Sequence, residues 1–209
     1  MSEIPVPFAA LVFDVGGVLV GHDNEFLYCR LAEACPAADA IDAIRRQARD
    51  PRYERGELPI AHFHERLRQE LGYSRPFPEF VADWCCHFTV DHAMFDLLAR
   101  LALETRVLLF SNTNREHWDH LLVETAGRLG GFERYLSHEI GAAKPALEAY
   151  RLVAARAGID PARSLFIDDK PGNVNAARAA GFQAHVFTDR ATLERRLARD
   201  LAPRAASPP

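Results

Sequence analysis

Leu-Val-Phe-Asp-Val-Gly-Gly-Val-Leu-Val, residues 11–20, is the stretch of sequence that decides the fold. A short apolar run that is rich in Val and Leu and ends at a Gly pair is typical of a buried strand followed by a tight turn. Asp14 lies at the end of this strand, and ligands bind at the carboxyl edge of an open α/β sheet. Burying a carboxylate inside an apolar run costs free energy unless a positive charge lies beside it. The pattern therefore indicates a metal ion or a lysine beside Asp14, or an Asp14 that only caps a turn or a helix.

The composition sets the class of protein. With 209 residues, 48% of them hydrophobic, the chain can bury one domain with a sizeable insertion or two small domains. The net charge of -4 provides no basic field, so we expect neither a nucleic acid nor a membrane as partner. No apolar run could span a bilayer and no secretion signal is visible, so we expect a cytoplasmic protein. We expect it to be a monomer or a homodimer. Reduced thiols are expected at the four cysteines, which lack the CxxC spacing of a zinc site: Cys29, Cys35, Cys85 and Cys86.

Strands and helices alternate along most of the chain, but a helical block interrupts them after the first strand. Within this block, residues 22–88, helical apolar spacing predicts helices over 24–34, 38–48 and 60–71. After the block, the pattern predicts strands at 106–110, 134–137, 164–167 and 183–187, and helices at 93–103, 115–129, 145–157 and 174–180. This alternation predicts a doubly wound, mainly parallel, Rossmann-like α/β sheet with an inserted helical cap.

The same pattern divides the chain. We expect residues 1–20 and 92–201 to form the α/β core and residues 21–91 to form the helical cap. Residues 202–209 consist mainly of Ala, Pro and Ser, a composition that predicts a disordered tail.

Polar residues follow three of the predicted strands. Asp14 ends the first strand, Ser111 the second, and Asp168 with Asp169 the fourth. Lys144 lies on a loop before a helix and can reach the same edge of a parallel sheet. Three carboxylates and a lysine suit a divalent cation plus a phosphoryl group, since Mg²⁺ prefers oxygen ligands. Each residue alone could instead be a helix cap or a solvated charge.

These residues resemble the four motifs of the haloacid dehalogenase (HAD) superfamily, in order and at familiar spacing: Asp14, Ser111-Asn112, Lys144-Pro145 and Asp168-Asp169. The resemblance covers roughly residues 8–20 and 92–190, and the helical block resembles the small cap that one branch inserts after the first motif. Within that branch the chain is similar to bacterial phosphatases of sugar phosphates such as glucose 1-phosphate. The similarity is carried by Ser-Asn-Thr-Asn at 111–114, by Arg55-Gly56-Glu57, and by Asn173 after the fourth motif.

The resemblance implies a Mg²⁺-dependent phosphomonoester hydrolase that acts on a small phosphorylated metabolite through an aspartyl-phosphate intermediate. Asp14 would be the nucleophile, and Lys144 would neutralise the phosphate and the crowded carboxylates. Ser111 and Asn112 would hold the phosphate oxygens. The implied Mg²⁺ ligands are Asp14, the backbone carbonyl of Gly16 and Asp169, with Asp168 as a direct or water-mediated ligand.

Gly16 departs from the phosphatase pattern, which has a second aspartate at this position as general acid and base. Such catalysis typically contributes about 10²- to 10⁴-fold. We therefore expect a weakly basic leaving oxygen, such as the anomeric oxygen of a sugar 1-phosphate. His22 or Asp23, at the hinge into the cap, could activate the hydrolytic water, although a solvated loop pair is the alternative.

Two other interpretations stay open. A metal-independent 2-haloacid dehalogenase also lacks the second aspartate, and Tyr150 follows Lys144 at the spacing of that branch. Against it, the fourth motif of that branch is poorer in carboxylates than Asp168-Asp169. A non-catalytic phosphoryl-binding protein would keep the site and lack turnover.

The aromatic residues of the cap could face the site or form the core of the cap: Phe80, Trp84, His87 and Phe88. At helical spacing such residues more often form a core. On the helix after the second motif, His117 and His120 are expected at the surface and not as metal ligands.

Overall fold

A computed structural model describes residues 8–199 of the chain. Its strands are β1 (Ala10–Phe13), β2 (Val20–His22), β3 (Phe88–Val90), β4 (Arg106–Ser111), β5 (Glu133–Leu136), β6 (Ser164–Asp168) and β7 (Gln183–Val186). Its α-helices are α1 (Asn24–Ala32), α2 (Ala40–Ala48), α3 (Pro51–Glu54), α4 (Ile60–Leu71), α5 (Phe77–Cys85), α6 (His92–Glu104), α7 (Arg115–Glu124), α8 (Ser137–Ile140), α9 (Leu147–Ala157), α10 (Pro171–Ala179) and α11 (Arg190–Arg199).

The central sheet confirms the predicted α/β fold. Five parallel strands lie in the order β5-β4-β1-β6-β7, so the strand that opens the chain is at the centre. Leu11 and Phe13 of β1 face the side covered by α6, α7 and α11, whereas Ala10 and Val12 face the side covered by α9 and α10. Because helices cover both faces, every residue of β1 is buried, and its sequence is continuously apolar rather than alternating.

The helices α1 to α5 form a separate layer with its own hydrophobic core. This layer leaves the sheet after β2 and returns at β3, and these two strands pair antiparallel as a short ribbon between Val20 and Val90. The sequence pattern does not predict the ribbon, because strands of three residues are too short to show a period of two.

Several element boundaries differ from the predicted ones. The helix expected over 115–129 ends at Glu124, and a 3₁₀ turn at Arg128–Gly131 follows it. The helix expected over 145–157 begins at Leu147. The four cysteines are free thiols, as expected. The predicted tail at 202–209 lies outside the described residues. Among residues 8–199, no helix has the length and apolar character needed to cross a membrane.

Candidate active site

The carboxyl ends of two neighbouring strands and one loop bring the predicted charged residues together. Asp14 directly follows β1, Asp168 is the last residue of β6, and Asp169 follows it. The backbone N–H of Asp14 donates to the Ile167 carbonyl at 2.8 Å, which holds the two strand ends in register. The loop before α9 brings Lys144 to the same edge. Parallel pairing therefore produces the cluster that the sequence predicts, because every strand of the sheet ends on the same side.

Lys144 is the buried counter-ion of this cluster. Its Nζ lies 2.8 Å from Asp14 Oδ1 and 2.8 Å from Asp168 Oδ2, and it also donates to the Phe110 carbonyl at 2.9 Å. Its side chain is 1% exposed, and the ammonium lies 5.2 Å and 5.5 Å from the ring centroids of Phe110 and Phe166. Because an ammonium has three protons, these contacts use the full donor capacity of Lys144.

The two carboxyl partners of Lys144 have different environments. Burial raises the pKa of Asp14, although the charge of Lys144 opposes the shift. Burial acts in the same direction on Asp168, but its contacts with Lys144 outweigh it and lower its pKa. Asp168 also accepts hydrogen bonds from the Asn173 amide, at 3.0 and 2.9 Å, and from the Lys170 N–H at 2.9 Å. Asp168 is therefore held as a carboxylate, with both oxygens already in hydrogen bonds.

Asp169 has one carboxylate oxygen without a partner in the described part of the chain. Its Oδ1 is buried and has no hydrogen-bond partner among the described residues. Oxygen atoms of Asp14, Asp168 and Asp169 all lie within 4.8 Å of one another. An unpaired buried carboxylate oxygen next to two further carboxylates fits a hard divalent cation such as Mg²⁺.

Gly17 makes room for this arrangement. A Cβ at Gly17 would lie 2.4 Å from Asp169 Cγ, and the backbone has φ +78°, which an L side chain rarely adopts. The Gly17 N–H donates to the Val20 carbonyl at 2.8 Å and closes the turn after β1. The sequence analysis used the Gly pair only as a strand stop, and did not predict this close approach to Asp169.

Ser111 and Asn112 lie at the end of β4 and line the same crevice. The Asn112 side chain also holds the lysine loop, because its Oδ1 accepts the Lys144 N–H at 2.9 Å and its Nδ2 donates to the Lys144 carbonyl at 2.8 Å. A second Asn112 Nδ2 contact, 3.2 Å long, reaches Glu54 Oε2 on the cap. No feature of the sequence predicted the contact with Glu54.

A cavity of about 530 Å³ lies between the strand ends and the cap. From the core it is lined by Asp14, Ser111, Asn112, Lys144, Lys170 and Asn173. The cap lines it mainly with polar side chains: Asn24, Glu25, Tyr28, Arg49, Tyr53 and Glu54. The strand ends and the cap therefore enclose a space of the size of a small polar metabolite.

The cap aromatics divide between the two expected roles. Phe80 is fully buried in the cap core, whereas Trp84, His87 and Phe88 line the cavity near the ribbon. The surface position expected for His117 is wrong. Its ring stacks on Trp84 with centroids 4.7 Å apart, and its Nε2 lies 3.0 Å from the Trp84 carbonyl. The sequence could not show this contact, because it depends on the packing of α5 against α7.

Burial lowers the pKa values of the hinge histidines. The pKa of His117 falls to about 3 and that of His87 to about 4, since neither site can solvate an imidazolium. His120 is half-buried and lies 6.2 Å from the Phe88 ring. His117 and His87 are therefore neutral at neutral pH.

His22 lies beside Gly16. A Cβ placed on Gly16 would lie 3.3 Å from His22 Cδ2 and 3.6 Å from His22 Nε2. Burial and the charge of Lys170 lower the pKa of His22. Asp23 instead caps α1, because its Oδ1 accepts the Phe26 N–H at 2.9 Å. The imidazole thus lies next to the space that a longer side chain at position 16 would use.

Tyr150 lies beneath the site. It is 1% exposed, its ring packs against Phe110 and Phe166, and its hydroxyl donates to the Asn173 carbonyl at 2.8 Å. Tyr150 is not among the residues that line the described cavity. Tyr150 therefore supports Asn173, whose side-chain amide donates to Asp168.

Comparisons with known proteins agree with this geometry. A family model described as haloacid dehalogenase-like hydrolase matches residues 8–181. D-ribitol-5-phosphate phosphatase of Bacteroides thetaiotaomicron is 27% identical over 185 residues, which cover 83% of this chain and 88% of that protein. The crystal structure of a HAD family enzyme from the same organism, in complex with magnesium and inorganic phosphate, aligns with a TM-score of 0.78 at 26% identity. The alignment covers 89% of this chain and 98% of that one. A HAD-like family hydrolase structure from Porphyromonas gingivalis aligns with a TM-score of 0.77 at 25% identity, over 95% and 100% of the two chains.

Proposed function

The chain belongs to the haloacid dehalogenase-like hydrolase family, and from this premise we propose that it is a Mg²⁺-dependent phosphatase of a small phosphorylated sugar or polyol. The observation that carries the proposal is the cluster of three carboxylates, Asp14, Asp168 and Asp169, in which Lys144 contacts Asp14 and Asp168 and one oxygen of Asp169 has no partner among the described residues. Two comparisons support phosphatase chemistry. The Bacteroides relative is named as a phosphatase, and the HAD family enzyme structure that aligns with this chain contains magnesium and inorganic phosphate.

Asp14 is the proposed nucleophile. Two donors hold its Oδ1, Lys144 Nζ at 2.8 Å and the Val15 N–H at 2.7 Å, so Oδ2 is the oxygen placed to attack phosphorus. The attack forms a bond from Oδ2 to phosphorus and breaks the P–O ester bond, and the sugar or polyol leaves as an alkoxide that takes a proton from water. Water then attacks the aspartyl phosphate, which releases inorganic phosphate and restores the carboxylate.

The remaining residues of the cluster position and neutralise the phosphoryl group. Ser111 Oγ and Asn112 Nδ2 are the proposed donors to its non-bridging oxygens. Mg²⁺ would be held by Asp14, Asp169 and the backbone carbonyl of Gly16, with Asp168 as a direct or water-mediated ligand. When bound, the ion supplies positive charge that stabilises the phosphoryl oxygens during transfer. Lys144 keeps the carboxylates close together before any ion binds.

His22 is the proposed acceptor of the proton from the hydrolytic water. The reason is its position, since its ring lies beside Gly16, where no side chain of the core fills the space. Asp23 is the weaker candidate, because it is used as the cap of α1. D-ribitol 5-phosphate is an ester of a primary alcohol, so a substrate panel must contain such esters as well as anomeric ones.

Phosphate release tests the function directly. Purified protein is assayed for inorganic phosphate with D-ribitol 5-phosphate, glycerol 3-phosphate and glucose 1-phosphate, each with Mg²⁺ and with EDTA. We expect multiple turnovers that EDTA stops and that Asp14→Asn abolishes, while the exposed matched change Asp119→Asn leaves the rate unchanged. Halide release from a 2-haloacid without Mg²⁺ would instead identify a dehalogenase. Binding of phosphate esters without turnover would identify a non-catalytic binding protein.

A further inference from the structure

Glu54, a residue of the cap, is held beside Asn112, the proposed donor to the phosphate. The Ser137 hydroxyl, fully buried in the core, lies 2.5 Å from the Glu54 carbonyl at the end of α3. Two residues further on, Gly56 packs so closely on the core that a Cβ there would lie 2.5 Å from the His138 carbonyl. These two contacts fix the backbone of Glu54 relative to the strand ends. The backbone of Glu54 therefore has a defined position above the site.

The charge of Glu54 has no counter-ion in the described part of the chain. Its neighbours Arg52 and Arg55 are already paired with other carboxylates, Asp50 at 2.6 Å and Glu57 at 2.5 Å. No ion pair among residues 8–199 includes Glu54, and its carboxylate accepts a hydrogen bond from Asn112 Nδ2 at 3.2 Å. Glu54 is thus an acceptor-only group of the cavity wall whose negative charge no ion pair among residues 8–199 neutralises, and this charge repels further anions.

The Asn112 amide connects Glu54 to the reaction. One Nδ2 proton of Asn112 is held by the Lys144 carbonyl at 2.8 Å, and the other points to Glu54. If a phosphoryl oxygen takes this second proton, Glu54 loses its donor and needs a replacement. A substrate atom one or two bonds from the phosphate ester is the nearest group that could supply it.

We propose that Glu54 is a specificity-determining residue, which accepts a hydrogen bond from a hydroxyl group near the phosphate ester. The proposal rests on the proposed phosphatase function and narrows its substrates to polyhydroxy phosphates. Such a hydroxyl donates a hydrogen bond to the Glu54 carboxylate. A second anionic group near the ester offers the carboxylate no hydrogen bond and is repelled by its charge. A hydroxyl fits better than an ammonium group because Arg49, which has no ion pair within residues 8–199, lines the same cavity.

The test compares Glu54→Gln with the matched control Glu57→Gln, which alters an exposed acid of the same loop. The substrates are D-ribitol 5-phosphate, which carries hydroxyls, and 4-nitrophenyl phosphate and 2-phosphoglycolate, which carry none. We expect Glu54→Gln to lower kcat/KM about 10- to 100-fold for D-ribitol 5-phosphate, the range of one hydrogen bond to a charged group. For 4-nitrophenyl phosphate we expect a change below about threefold, and for 2-phosphoglycolate a several-fold gain. Thermal unfolding verifies that both variants fold.

A binding measurement separates this proposal from the proposed function. In the Asp14→Asn background, calorimetry with Mg²⁺ compares D-ribitol 5-phosphate with inorganic phosphate. We expect Glu54→Gln to weaken only the D-ribitol 5-phosphate complex, by about 10-fold or more. Equal losses of affinity for D-ribitol 5-phosphate and inorganic phosphate, or no loss of affinity for D-ribitol 5-phosphate, would overturn the role of Glu54. Absence of turnover with this selective loss of binding would overturn the phosphatase function alone, and absence of any binding would overturn both.

Discussion

Replacing Lys144 by methionine tests the electrostatic basis of the site. The substitution keeps a long apolar side chain and removes the ammonium that lies 2.8 Å from each of Asp14 and Asp168. At an effective dielectric constant of about 20, each of these pairs is worth about 6 kcal/mol before the cost of desolvation. Removing one partner of a buried ion pair costs about 3–5 kcal/mol net, because the remaining charge stays buried. We therefore expect Lys144→Met to lower the free energy of unfolding by about 3–5 kcal/mol at pH 8.

The loss of stability in Lys144→Met should depend on pH in one direction. Without Lys144, burial and the charge of Asp168 act unopposed on Asp14, so its folded-state pKa lies further above the unfolded value than in the wild type. Between these values the folded protein binds more protons than the unfolded chain, and stability rises as pH falls. The difference between wild type and Lys144→Met should therefore shrink from pH 8 to pH 5.

Urea unfolding followed by circular dichroism measures both quantities. Lys170→Met is the matched control, because this neighbouring lysine is exposed and should change stability by less than about 0.5 kcal/mol. A loss below about 1 kcal/mol for Lys144→Met at pH 8, or a loss that is the same at pH 5, would refute the assignment of Lys144 as the buried counter-ion.

Three further predictions concern the metal, the hinge and the cap. Asp169→Asn should weaken Mg²⁺ binding at least about 10-fold by calorimetry and leave folding intact; an effect as small as that of Asp119→Asn would contradict a ligand role. Because the pKa values of His117 and His87 lie below the value of 6.5 in the unfolded chain, the unfolded state binds more protons below pH 6.5. The two histidines together should therefore lower the free energy of unfolding by about 3–4 kcal/mol from pH 7 to pH 5, an effect that the raised pKa of Asp14 partly offsets, and His117→Gln should remove about half of the histidine contribution in urea unfolding; an unchanged pH dependence would contradict it. Gly56→Ala should lower the unfolding free energy by about 1–3 kcal/mol through its φ of +70° and the collision with a core carbonyl; unaltered unfolding would show that this contact is not held in solution.

The sequence predicted the sheet and the composition of its functional edge. The alternation of apolar strands and helices requires parallel strands, and parallel strands end on one side of the sheet. Asp14 and Asp168 therefore had to meet from their positions at strand ends alone. The need for a positive charge between them also followed, since two carboxylates repel each other at such close range.

Only the tertiary structure decided which cap residues reach that edge. Glu54 and Asn112 are 58 positions apart, and His117 lies 33 positions from the Trp84 carbonyl that it contacts. Local periodicity shows which side of a helix is apolar, but not which side chains meet when the cap packs on the core. The chemistry of the strand ends was therefore readable from the sequence. The wall that faces the substrate was not, because it forms only when two separately packed layers come together.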